Sequence, residues 1–219
     1  MPISLLVYLA FAFGVLGFLA RDELRLRLMM LAASSLYIAY YFLVSDSPLW
    51  DPIITNSTLG LVNLAMIIVV VIERTTFTMS AEMTVIYRQF PLLTPGQFRR
   101  LMRAANIEKI NKPTIITQRD QPLENLYFVL DGDIEIDKGG KTMKLGGSRF
   151  IGEVAYLTRR AASATVTVLP GASILAWRHQ DLVALSERSP RLTVAMLATL
   201  NQDLVIKVAN SEPSFGTEG

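Results

Sequence analysis

The sequence has no cysteine and a single histidine, His179. Without cysteine there are no disulfides, thiolate metal sites or cysteine nucleophiles, and the redox compartment cannot be read. One histidine at the start of a short apolar-periodic segment makes neither a metal cluster nor a Ser-His-acid set, so a surface or helix-start role is expected. No Walker loop occurs. These absences point away from an enzyme and from any cofactor or metal. Charge is also scarce: charged residues make up 18% of the 219 and hydrophobic residues 51%. That is too apolar for one soluble domain and implies a membrane part joined to a soluble part. Residues 1–72 hold three Arg and four acids, leaving eighteen Lys/Arg and fifteen acids for 73–219. So mild a basic excess argues against a nucleic-acid partner.

What is present begins with three uncharged apolar runs, residues 3–20, 28–44 and 53–72, each read as a transmembrane helix. No basic segment precedes the first run, which excludes a signal peptide. Residues 21–27 form a polar link with Arg21, Arg25 and Arg27, whereas the link at 45–52 carries Asp46 and Asp51 without a base. The positive-inside rule puts the first link in the cytoplasm. The expected protein is therefore an integral plasma- or inner-membrane protein, with its N-terminus outside and its soluble domain cytoplasmic. Ser34, Ser35 and Asn63 are the polar residues within the runs, and interhelical hydrogen bonding is their expected role. Ala10 with Gly14 and Ser35 with Ala39 are small-xxx-small pairs suited to close packing. Runs without charge make a poor conduction path and favour anchoring and assembly.

Residues 73–105 read as a helical connector. Thr94 is an N-cap with Pro95 in the first helical position. Phe98, Leu101, Met102 and Ala105 form the inner face of the following helix, opposite Arg99, Arg100 and Arg103. A domain at 106–210 follows, rich in short strand-like runs: Ile107 and Ile110, residues 114–116, 126–130, Ile134 and Ile136, 163–168, and 174–177. Asp131-Gly132 is a hairpin signal. His179 to Glu187 reads as a short helix, and Pro190 starts the last one. That helix carries two apolar stripes: Leu192, Met196, Leu200 and Leu204, then Val194, Leu197, Val205 and Val208. A helix apolar on two sides covers two surfaces, here the strands and a second copy of the chain, so a homodimer or higher homo-oligomer is expected. Residues 211–219 read as a disordered tail.

The chemistry concentrates at Phe150-Ile151-Gly152-Glu153-Val154-Ala155-Tyr156-Leu157 and the following Ser163-Ala164-Thr165-Val166. Gly152 allows a close backbone approach to a ligand, and the helical turn after it has free N–H groups suited to a phosphate. An acid beside a phosphate site makes sense as an acceptor for sugar hydroxyls.

Gly152-Glu153-x-Ala155-x-Leu157 followed by Ser163-Ala164-Thr165 resembles the phosphate-binding cassette of cyclic-nucleotide-binding domains of the catabolite-activator type. Residues 125–132, Asn-Leu-Tyr-Phe-Val-Leu-Asp-Gly, are similar to that family's central hairpin. The resemblance covers roughly residues 90–208. It implies a β-roll, jelly-roll-like, with flanking helices and a C-terminal lid helix. It also implies that Glu153 takes the ribose 2′-hydroxyl and that Gly152, Val154 and Ala155 hold the cyclic phosphate with Ser163 and Ala164. The family's neutralising Arg falls at Ala162, and Arg159 and Arg160 are the bases that would swing in. No DNA-reading helix-turn-helix follows.

Three spans before such a domain resemble the Popeye-domain family, and a bacterial relative between the two families fits. The expected fold class is membrane α plus α+β. Residues 1–72 span the membrane, 73–105 connect, and 106–210 form the cytoplasmic β-roll. Two functions stay open: a membrane-anchored sensor of cAMP or a related cyclic nucleotide, and a degenerate fold that serves as a structural or docking module without ligand.

Overall fold

The computed structural model describes residues 3–210; the tail expected at 211–219 lies outside them. The chain divides into two compact units, Met1–Thr78 and Met79–Gly219.

The first unit is three apolar helices: α1 (Ser4–Leu19), α2 (Glu23–Leu43) and α3 (Trp50–Arg74). By length and composition α2 and α3 can each cross a membrane, and α1 is a shorter apolar helix of 16 residues. The link between α1 and α2 is shorter than the sequence suggested. Asp22 caps α2 by accepting from the Arg25 N–H, so Arg25 and Arg27 sit on its first turns instead of in a loop.

Packing in this unit buries Ala10 but pairs it with Gly17 in place of Gly14 on the contact face of α1. A Cβ on Gly14 would meet nothing within 4 Å, whereas one on Gly17 would lie 3.4 Å from Met29 Cβ. On α2 the buried small residues are Ala33 and Ser34, while Ser35 is exposed. The helical period of 3.6 carries the contact face past a strict four-residue spacing. Ser34 Oγ donates to the Met30 carbonyl and Asn63 Nδ2 to the Leu59 carbonyl. Both polar groups are satisfied within their own helix and not, as expected, across helices.

The second unit opens with α4 (Ala81–Tyr87) and α5 (Pro95–Arg103). Thr94 and Gln97 form a reciprocal capping box at the start of α5, and Phe98, Leu101 and Met102 are buried, as the sequence indicated. Eight strands follow, with all pairings antiparallel. They are β1 (Asn106–Lys109), β2 (Thr114–Thr117), β3 (Asn125–Asp131), β4 (Asp133–Asp137), β5 (Thr142–Gly146), β6 (Arg149–Ile151), β7 (Thr165–Val168) and β8 (Ser173–Arg178). One sheet runs β1-β8-β3-β6 and the other β2-β7-β4-β5. The helices α6 (Glu153–Thr158), α7 (His179–Arg188) and α8 (Pro190–Asn210) complete the unit.

Asp131-Gly132 is not a hairpin: β3 and β4 lie in different sheets. Gly132 has φ +98°, and a Cβ there would lie 2.5 Å from Ala172 Cα. The turn signal is real, but it makes a corner that sends the chain from one sheet to the other. The tight hairpin is β4–β5, closed where the Lys138 N–H donates to the Lys141 carbonyl around Gly139 and Gly140. Strand β5, exposed except at Leu145, was missing from the sequence reading although Met143 and Leu145 alternate with Thr142 and Lys144.

In the first sheet β3, β6 and β8 bury side chains on both faces, whereas β1 is exposed throughout. Val129, Ile151 and Ile174 meet Ile134, Val166 and Val168 of the second sheet. Phe128, Phe150, Leu175 and Trp177 face the helices, against Phe98, Leu101, Leu182, Leu192, Met196 and Leu200. Period-2 alternation along β3 and β8 assigns successive residues to the two cores. Trp177 Nε1 donates to the Leu101 carbonyl over 2.9 Å, which satisfies an acceptor in the last turn of α5. On α8, Leu192, Met196 and Leu200 are buried, whereas Val194, Leu197, Val205 and Val208 are exposed.

Candidate functional site

The cassette starts where β6 leaves the first sheet. Phe150 anchors it on the helix side, its ring 4.7 Å from Phe128 and 6.5 Å from Trp177. Ile151, one residue on, points into the core between the sheets. Gly152 then turns the chain with φ +86°, and a Cβ there would press within 2.8 Å of Leu123 Cδ1. The left-handed backbone favours glycine, and any Cβ would also have to displace the Leu123 side chain. The next residues form α6, whose first amide bonded back to this turn is that of Tyr156, to the Gly152 carbonyl. The N–H groups of Glu153, Val154 and Ala155 therefore precede the helix's own hydrogen bonds.

The structure brings Gly152, Glu153, Val154 and Ala155 onto one turn. Glu153 is 6% exposed, Ala155 is buried and Val154 faces out. Ala162 is buried, with its N–H donating to the Gln121 carbonyl and its carbonyl accepting from the Asp120 N–H. Ser163 is exposed, and the Ala164 carbonyl accepts from Thr117 Oγ1. Arg159 ends α6 in a left-handed conformation with φ 55°, and both Arg159 and Arg160 are exposed. Burial pushes the Tyr156 phenol above its usual range, while a Ser186 hydrogen bond and the Arg159 charge pull the other way. The Tyr156 ring meets His179 edge-on at 5.3 Å. His179 begins α7, where the sequence put it.

Sequence reasoning missed the group that engages Glu153. Lys207 Nζ, from the last turns of α8, lies 2.6 Å from Glu153 Oε1, 2.6 Å from the Phe150 carbonyl and 2.7 Å from Asp203 Oδ2. The available signal was Asp203 and Lys207 four apart, the charged pair in an otherwise apolar stretch of helix. A separate cleft of about 1400 Å³ lies beside α5, β1, β8 and α7, lined in part by Arg100, Arg103, Arg178 and Arg188. No cassette residue lines it. Among the described residues no group of His, Asp or Glu is placed to hold a metal.

With this geometry in view, residues 107–189 match the family model of the cyclic nucleotide-binding domain. The second unit is a cyclic-nucleotide-binding-type domain. A Rhodopseudomonas palustris protein named as a potassium channel protein is 32% identical over 126 residues, covering 56% of this chain and 31% of its own length. A Mesorhizobium japonicum protein named as a cyclic nucleotide-gated potassium channel is 23% identical over 121 residues, covering 55% of this chain and 34% of its own. The chain thus spans about a third of the length of these curated relatives. Among solved structures, a cyclic nucleotide-binding domain from Methylobacillus flagellatus superposes with a TM-score of 0.53 at 16% identity, covering 58% of this chain and 79% of that one. A cyclic nucleotide-binding protein from Geobacter metallireducens gives 0.51 at 14%, covering 60% and 99%. These two likenesses concern the fold of the cyclic-nucleotide-binding-type domain.

Proposed function

We propose that the protein is a membrane-anchored, non-catalytic sensor whose cassette binds cAMP or a related cyclic nucleotide. The observation that carries this reading is the buried carboxylate of Glu153 directly after the left-handed Gly152. A buried carboxylate needs a polar or charged partner, which Lys207 supplies in the unliganded chain, and this one stands beside helix-turn N–H groups suited to a phosphate. In this reading Glu153 accepts a ribose hydroxyl and the amides of Val154 and Ala155 meet the phosphate. Ser163 and Ala164 close its far side.

The anchor is α1 to α3. Arg21, Arg25 and Arg27 gather at the end of the unit where Asp22 meets Arg74, which supports a cytoplasmic location for that end and for the domain. The channel names of the relatives support a ligand-regulated membrane protein, and the arrangement resembles that of the Popeye family. The exposed stripe Val194, Leu197, Val205 and Val208 supports a homo-oligomer. Thermal unfolding of the detergent-solubilised protein with cAMP, cGMP and cyclic dinucleotides tests the reading. A concentration-dependent rise in Tm with one of them is expected; no rise with any at millimolar levels would sink it.

The second reading is a docking module that has lost its ligand. Ala162 favours it, because a cyclic phosphate without a guanidinium partner is poorly compensated in a partly dry pocket.

A further inference from the structure

We infer that Lys207 is a latch that competes with ligand for Glu153, so that the unliganded domain is closed by its own terminal helix. The inference rests on the sensor reading above. An ammonium group has three N–H donors. Two of those on Lys207 serve Glu153 Oε1 and the Phe150 carbonyl oxygen, each at 2.6 Å, while Asp203 Oδ2 lies 2.7 Å from the ammonium as an ion-pair contact without hydrogen-bond geometry. The cluster holds one cation against two carboxylates, so it repels a phosphodiester and does not stand in for the guanidinium missing at Ala162.

The arrangement is built, not incidental. The Glu153 side chain is 8% exposed and the Asp203 side chain 20%. Asp203 lies one helical turn before Lys207 and holds the ammonium in place. The Phe150 carbonyl belongs to the residue that leads into the cassette, so one amine bridges strand β6, the cassette turn and α8. A sugar hydroxyl donating to Glu153 Oε1 must share or displace this ammonium. Binding therefore loosens the end of α8, and occupancy becomes movement of the helix that also carries the exposed apolar stripe.

A merely structural lysine and a latch differ in sign. Lys207→Met keeps the apolar stem and removes the competitor. Calorimetry of the full chain in detergent, with cAMP and with cGMP, should then show affinity raised roughly three- to tenfold over the parent, the scale of one partly exposed charge-assisted contact. Lys207→Gln, which keeps length and polarity, should give a smaller gain and is available should the methionine variant fold poorly. If the parent binds nucleotide and neither variant binds more tightly, the latch is wrong and the sensor reading stands. If parent and variants all bind neither nucleotide, both fall together. Binding by the variants alone would support the latch in its strongest form.

Discussion

Arg74 Nη1 lies 2.7 Å from Asp22 Oδ2, so the C-terminal end of α3 is tied to the segment joining α1 and α2. The Arg74 hydrogen bond, with the Arg25 amide, holds the Asp22 carboxyl below its usual value. A depressed carboxyl contributes stability above its unfolded pKa and loses it as pH falls through the folded one. Asp22→Asn keeps the cap but not the ion pair. The variant should unfold at a slightly lower temperature than the parent at neutral pH and low salt, and the gap should close in acid below the usual Asp range. Both side chains are well exposed, so added salt should narrow it too. A gap that persists in acid would show that the pair is not its source.

Gly132→Ala should damage the domain. The residue sits at φ +98° with the Ala172 backbone where a methyl would go. Left-handed strain and the overlap together cost about 2–4 kcal/mol. A drop of roughly 5–15 °C in the unfolding midpoint is expected, measured by tryptophan fluorescence through the buried Trp177. Gly140 is the control: its φ is also positive, but a Cβ there meets nothing within 4 Å, so Gly140→Ala should cost only the strain.

Glu153→Ala removes the proposed sugar acceptor and should weaken cyclic-nucleotide binding. A charge-assisted hydrogen bond contributes about 1.5–3 kcal/mol, so affinity should fall on the order of ten- to a hundredfold. Removing Glu153 also frees Lys207, and the end of α8 should exchange its amide hydrogens faster. Unchanged affinity with the fold intact would place the ligand elsewhere.

Ala162→Arg restores a guanidinium at the position the cassette resemblance assigns to it. A bidentate contact to the cyclic phosphate should raise affinity by roughly tenfold or more. Arg159→Ala and Arg160→Ala should leave binding unchanged, because both residues are exposed at the far end of α6. A loss of affinity in either alanine variant would mean that this base has taken over the phosphate.

By itself the sequence determined what depends on local pattern. Long uncharged runs can satisfy their backbone in lipid only as helices, so the apolar first unit was legible from composition. The Thr94 cap, the strands at 126–130 and 174–177 and the Gly152-Glu153 turn followed from residue types at fixed spacing. Tertiary structure decided everything that depends on which elements meet. Asp131-Gly132 carries the same turn chemistry in a hairpin as in a corner, and only the pairing of β3 with β6 and β8 tells them apart. Small residues can face a neighbouring helix at several phases, and the contact chose Gly17 over Gly14. Most consequentially, Lys207 stands 54 residues beyond Glu153. No local rule links them, because an ion pair between distant residues exists only once the fold has brought α8 across the cassette.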